Sequence, residues 1–300
     1  MRQVAWHTAS ALSPASYQNL LHGRTAVVHT VGTLLETAQY KEAVRSGDVG
    51  ALAKTVFGAL AGSDGSNPLK RGSSHPASYE TLNRDTGELT RRFASKIHDS
   101  RWGVPALRVC ETYLSTVADS PSDFASELKP YAFVYLSAED MGRPVIPRRY
   151  VETKRQAEQG IKELCRGTDV RGIFIRPSTF STVWIGAYTY NLSSSAGFIY
   201  HPHLRPITTP IAALASLSAT IHEKAPSVIP MPSRILRAVA SDPPSPAHLP
   251  SALQAMATTL ELPPIHLDHV AEAICKSIER QDISGPVGLR KMRQLIGWGE

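Results

Sequence analysis

Tyr150 and Lys154 stand four residues apart in the segment YVETKRQAE. On a helix that spacing puts both side chains on one face, one turn apart. An ammonium beside a phenol favours the phenolate, lowering a pKa that is about 10 in isolation. A phenol tuned in this way can give or take the proton of a carbonyl or hydroxyl undergoing hydride transfer. Ser137 follows the apolar run Tyr131 to Leu136, and its hydroxyl could hold the same oxygen. Ligands of open α/β sheets bind at the carboxyl ends of the strands, which is where this serine would sit. A Tyr-Lys pair alone also suits a solvated helix face; the company of Ser137 is what argues for chemistry.

These residues need elements to position them. Tyr131 to Leu136 reads as a buried strand, and Tyr150 to Cys165 as a helix with Ala157, Ile161, Leu164 and Cys165 at spacings of three and four. Ala26 to Val31 and Val170 to Ile175 are two further β-branched runs, the latter ending at Arg176-Pro177. Gln3 to His7 is a weaker strand candidate, and Ser13-Pro14 opens a short helix. Thr33 to Phe57 and Tyr79 to His98 are helical in pattern, separated by a Gly/Ser/Pro-rich loop over Gly62 to Ser78. Arg101 to Lys129 shows no clean period and reads as an insertion. After a Pro/Ser/Ala-rich stretch from Ser178 to Leu262, Ile265 to Leu267 reads as a short strand. Asp268 then caps a helix running to about Arg280, and Gly285 begins the tail. Strands alternating with helices argue for an α/β fold around a parallel sheet.

The composition of the 300 residues, 42% hydrophobic and 19% charged, excludes a disordered or collagen-like chain. No run approaches the roughly 20 apolar residues of a membrane span. The net charge of +6 is spread along the chain, and the cluster Arg143, Arg148, Arg149, Lys154 and Arg155 is interrupted by Glu152, so nucleic-acid binding is not expected. Cys110, Cys165 and Cys275 have no metal-ligand spacing, which favours a reducing or matrix-type compartment. His201, His203, His266 and His269 lack a completing carboxylate or cysteine, so no metal site is expected. The first acidic residue is Glu36, preceded by Arg2, Arg24 and several serines. That stretch reads either as a mitochondrial transit peptide or as a strand, turn and helix of the fold itself.

Five pieces together resemble the short-chain dehydrogenase/reductase family in its extended, atypical branch. They are VVHTVG at Val27 to Gly32, Asn83 in YETLNRD, YLSAED at Tyr135 to Asp140, YVETKRQAE at Tyr150 to Glu158, and IRPS at Ile175 to Ser178 with IHLDHVAEAI at Ile265 to Ile274. VVHTVGTLLE with YNLSSSAGFIYHPHLRP is similar, more narrowly, to a fungal mitochondrial branch associated with coenzyme Q (ubiquinone) biosynthesis. The resemblance implies a doubly wound, Rossmann-like fold, with 1–177 as an incomplete dinucleotide-binding domain and 178–300 as an irregular C-terminal substrate or cap region. It implies NAD or NADP as cofactor, Tyr150 as catalytic acid/base, and Lys154 as the group that tunes Tyr150 and holds the nicotinamide ribose. It makes Ser137 the donor to the substrate oxygen, with His29, Gly32 and Pro177 lining the cofactor. Asn83 would pack near Gly32 without being a direct ligand. His29 as a satisfied core histidine, and Gly32 as a plain tight turn, are the alternatives. The implied substrate is small and lipophilic, the implied location mitochondrial with the cytoplasm as alternative, and the implied partner a complex of coenzyme Q biosynthesis.

The family's opening strand and glycine-rich pyrophosphate turn find no counterpart. Val27 to Gly32 corresponds to the family's fourth strand and Gln3 to His7 to its third. The strand beginning at Ala26 should therefore carry an open apolar edge, and Met1 is expected to be an internal start of a longer protein. Two functions follow: an NAD(P)-dependent oxidoreductase, or a non-catalytic subunit or assembly factor of a mitochondrial complex that keeps the fold.

Overall fold

Apolar runs that alternate between two faces need cover on both, and that requirement organises the chain. A computed structural model describes residues 4–31, 105–118, 131–141, 143, 148–178, 217–222, 224, 226, 230–240 and 249–298. Four strands, β1 (Ala26–His29), β2 (Tyr131–Leu136), β3 (Val170–Ile175) and β4 (Gly285–Val287), form one parallel sheet in the order β1-β2-β3-β4. The described residues include the helices α1 (Gln18–Leu21), after a 3-10 turn at Pro14–Ser16, α2 (Pro105–Ala118), α3 (Arg148–Leu164), α4 (Pro232–Val239), α5 (Ala252–Glu261), α6 (Leu267–Glu279) and α7 (Leu289–Leu295). The chain is thus an α/β protein with an all-parallel sheet.

The pleat sends alternate residues to opposite sides. Phe133, Tyr135 and Phe174 pack under α1, α2 and α3 with Cys110, Tyr113, Ala157 and Ile161. Ala132, Val134, Ile173 and Ile175 pack under α6 and α7 with Val270, Ala273, Leu289 and Met292. Each large side chain so buried contributes about 1.5–3 kcal/mol. α6 is tied down from below: the Arg171 guanidinium donates to the carbonyls of Ile278 at 2.9 Å, Arg280 at 2.7 Å and Ile283 at 2.6 Å. The carbonyls of Ile278 and Arg280 are among those that the end of a helix leaves without intrahelical partners, and Ile283 lies in the turn that follows.

Several expectations change. Residues 4–10 are not a strand: they make no regular structure, and Val4 and Trp6 are 73% and 74% exposed. Residues 105–118 of the supposed insertion are the buried helix α2. Its inward positions Ala106, Val109, Cys110, Tyr113 and Thr116 follow a helical period that Thr, Ser and Cys disguise as polar sequence. Ile265 to Leu267 is no strand; His266 caps α6, its Nδ1 accepting from the Asp268 amide at 3.3 Å. Gly285 starts β4, not a tail, using a left-handed φ of 72° that glycine adopts freely. The Pro/Ser/Ala-rich stretch from Ser178 to Leu262 contains α4 and α5, joined by an Arg237–Glu261 ion pair. The expected open edge is present among the described residues: β1 pairs only with β2, and Val28 is 41% exposed. The helical expectations for 33–57 and 79–98, with Gly32 and Asn83, lie outside the described residues.

Candidate functional site

Parallel strands bring their carboxyl ends to one edge, and here that edge collects His29, Ser137 and Arg176 from β1, β2 and β3. α3 runs back over the first face and supplies Tyr150, Lys154 and Glu158, successive i, i+4 positions. Tyr150 is partly buried; Lys154 and Glu158 are buried, at 3% and 5% exposure.

Lys154 does stand near Tyr150, its Nζ 5.9 Å from that ring's centroid, but it lies closer to Tyr135, at 4.8 Å. It donates to the Leu136 carbonyl at 3.0 Å. Burial pulls its pKa down to about 8, with Glu158 acting against that shift. The expected lowering of the Tyr150 phenol does not occur in this geometry. Burial pushes it up to about 12, and the charge that opposes the rise is Arg155. The reason is physical: an ammonium over a ring face, removed from water, does less for the phenolate than the loss of solvent does against it.

Ser137 is bound into an ion cluster. Its hydroxyl donates to Glu158 Oε1 at 2.5 Å and accepts from Arg155 at 3.2 Å. Arg155 also reaches Glu158 at 2.8 Å and the Ala138 carbonyl at 2.8 Å, while Arg176 bonds both oxygens of the same carboxylate, Nε at 2.9 Å. Glu139 lies beside them, its carboxyl pushed up by burial against the pull of Arg155 and Arg176. The next turn is fixed by Arg143, which chelates Asp140 through two bonds of 2.7 Å and crosses to the Pro250 and Ser251 carbonyls ahead of α5. None of Arg155, Glu158, Arg176 or Arg143 was singled out from sequence as a site residue. The signal available was Glu158 itself, one further helical turn beyond Tyr150 and Lys154 on the same face.

His29 is 5% exposed, and neither ring nitrogen has a hydrogen-bond partner among the described residues. It lies 5.9 Å from the Tyr135 ring, and burial, reinforced by Lys154, pulls its pKa down to about 4. It is therefore buried as expected of a core histidine, but not satisfied by any of the described residues. Pro177 is buried and its carbonyl accepts from the Glu139 amide at 2.9 Å.

A dinucleotide needs a strand that runs into a glycine turn and a helix N-terminus. Among the described residues, the left-handed glycines Gly23, Gly167 and Gly285 precede or open strands, and Gly297 follows α7. The step from β4 through Gly288 into α7 has that order, yet a Cβ at Gly288 would meet Glu139 Oε2 at 2.9 Å, so a carboxylate already fills the approach. His29 and Lys154 offer polar groups to one end of such a cofactor; the described residues do not fit its pyrophosphate.

No family model matches this chain, and no solved structure matches it. It is similar to "MIOREX complex component 2" of Saccharomyces cerevisiae, 30% identical over 179 residues, 59% of this chain and 54% of the relative. The chain thus spans about half the length of that curated relative.

Proposed function

We propose that this chain is a Rossmann-like α/β subunit of a mitochondrial complex, kept for its fold and its surfaces and not for turnover. The supporting observation is the state of the groups that hydride transfer would need. Ser137 is committed to Glu158 and Arg155, Lys154 to the Leu136 carbonyl, and the Tyr150 phenol is raised to about 12. A general acid works best with a pKa near the operating pH, which Tyr150 is far from. The similarity to a protein named as a complex component agrees with this reading, and the mitochondrial branch resembled by VVHTVGTLLE supports the location. The test is Tyr150→Phe in the endogenous gene, read by growth and by the abundance of the complex that retains the chain. Both should match wild type; loss of growth with the complex intact would return Tyr150 to catalysis.

A second reading is an NAD(P)-dependent oxidoreductase acting on a lipophilic carbonyl or hydroxyl compound of ubiquinone biosynthesis. The observation favouring it is His29, whose two ring nitrogens are buried and unpartnered among the described residues beside Lys154. Buried polar atoms left unmatched are costly and commonly await a ligand or water. Under this reading Tyr150→Phe abolishes turnover and leaves nucleotide affinity unchanged.

A further inference from the structure

The first face of the sheet holds two thiols that the site at its carboxyl edge does not use. Cys110 lies midway along α2 and is fully buried; Cys165 follows α3 directly and is half-buried. Their sulfurs are 3.9 Å apart and share a hydrogen bond. Two features of the helix pair produce this. Gly160 on α3 has no side chain, and a Cβ there would stand 2.7 Å from Leu107 Cδ2, so α2 packs closely against it. The Cys165 amide then donates to the Ile161 carbonyl at 2.9 Å, which keeps Cys165 on the last turn, facing α2.

We propose that Cys110 and Cys165 are a reversible dithiol–disulfide site, oxidised by hydroperoxides, that locks α3 to α2. The sulfurs stand 3.9 Å apart, and a disulfide would bring them to roughly 2.05 Å. The two thiols are unequal. The shared hydrogen bond holds Cys165 below the ordinary thiol range and, together with burial, pushes Cys110 above it. Cys165, the one nearer solvent, is therefore the attacking sulfur. Its thiolate attacks one peroxide oxygen, the O–O bond breaks, and the sulfur becomes a sulfenic acid as an alcohol or water departs. Cys110 gives up its proton and attacks that sulfur; the S–S bond forms and water leaves. Two thiols lose two electrons and two protons, and the hydroperoxide is reduced. The bridge closes a separation of 55 residues and fixes the helix that carries Tyr150, Lys154 and Glu158. Cys275, exposed on α6 against the other face, takes no part and serves as the control.

The experiment uses the full chain carrying Cys275→Ser, treated with hydrogen peroxide, blocked with a maleimide and mapped as peptides without reduction. The expected product is an intrachain crosslink of the Cys110 and Cys165 peptides that dithiothreitol removes, with an unfolding midpoint roughly 5 °C or more above the reduced chain. Adding Cys165→Ser should abolish both the crosslink and the shift, and leave Cys110 a thiol. Cys165→Ala gives the same reading should the serine perturb the helix end. The proposal is overturned if both cysteines remain thiols at peroxide doses that oxidise Cys275 in the wild-type chain, or if they are oxidised without becoming linked. It is overturned equally if the midpoint rises as much in the Cys165 variants.

Discussion

The two faces of the sheet are built from the same strands yet filled differently. Under α6 and α7 the strands present Ala132, Val134, Ile173 and Ile175 to Ile265, Val270, Leu289 and Met292, an aliphatic layer whose work is packing. Under α1, α2 and α3 they present Phe133, Tyr135 and Phe174 to Tyr113, and among the aromatics lie a buried lysine, a buried histidine and a thiol pair. Aromatic rings tolerate such neighbours because their faces attract cations and their edges leave room for polar tips. One face holds the fold, and the other holds both fold and chemistry. Damage to the first should change stability alone, whereas damage to the second should change stability and its response to pH.

The largest effect is expected where charge is buried. Glu158→Gln removes the negative charge shared by Ser137, Arg155 and Arg176 and turns one of its two acceptor oxygens into a donor, leaving two guanidiniums at the sheet's edge without that counter-charge. Both arginines retain some solvent contact, so the cost should be about 2–4 kcal/mol in denaturant unfolding. On the aliphatic face, Ile173→Ala should cost about 3 kcal/mol through the cavity it leaves. The alanine should leave the pH profile parallel to wild type, whereas loss of the Glu158 charge removes what opposes the fall of the Lys154 pKa.

Lys154 gives the next effect. Its pKa is about 8 in the folded chain against 10.5 when unfolded, so between those values the unfolded state binds more protons and stability rises with pH. Stability is therefore lost as pH falls from 10.5 to 8, with a slope of at most about 1.4 kcal/mol per pH unit. Lys154→Met should flatten that segment of the curve in chemical denaturation at stepped pH. A slope unchanged by the substitution would remove Lys154 as its source.

The smallest effect is expected to be a gain. His29→Phe replaces two unpartnered nitrogens by carbon and should stabilise the chain by about 1 kcal/mol. It should also remove an acid limb: with a folded pKa near 4 against 6.5, wild-type stability declines as pH falls from 6.5 to 4. Destabilisation by His29→Phe would mean that both nitrogens are satisfied by partners beyond the described residues.

What was legible in the sequence follows from how strongly each element's pattern exceeds its surroundings. β2 is a six-residue apolar run, β3 carries the buried apolar run Ile173-Phe174-Ile175, and α3 shows spacings of three and four, so both strands and the helix were readable. β4 was not: Gly285-Pro286-Val287 has no strand signal, and Pro286 is tolerated because β4 pairs on one side only among the described residues. α2 was hidden because several of its core positions are Cys, Tyr and Thr, not Leu or Ile. For the site, spacing correctly placed Tyr150 and Lys154 on one helix face, and left Glu158, one turn further along it, unnoticed. Spacing could not tell that Lys154 turns to the Leu136 carbonyl, or that Arg176, eighteen residues from Glu158 in sequence, closes a cluster around Ser137. Those outcomes depend on burial and on partners brought together only by the sheet.

The central proposal is that Ser137, Lys154, Arg155, Glu158 and Arg176 at the polar edge of the first face are engaged with one another and with backbone carbonyls, so that this edge does not work as a dinucleotide-dependent active site. Calorimetric titration of the intact chain with NADH and with NADPH tests it most directly. No binding in the micromolar range is the predicted result, since Glu139 stands against Gly288 and no glycine turn among the described residues receives a pyrophosphate. Micromolar binding that Lys154→Met weakens would contradict the account and make His29, Lys154 and Tyr150 the floor of a working cofactor site.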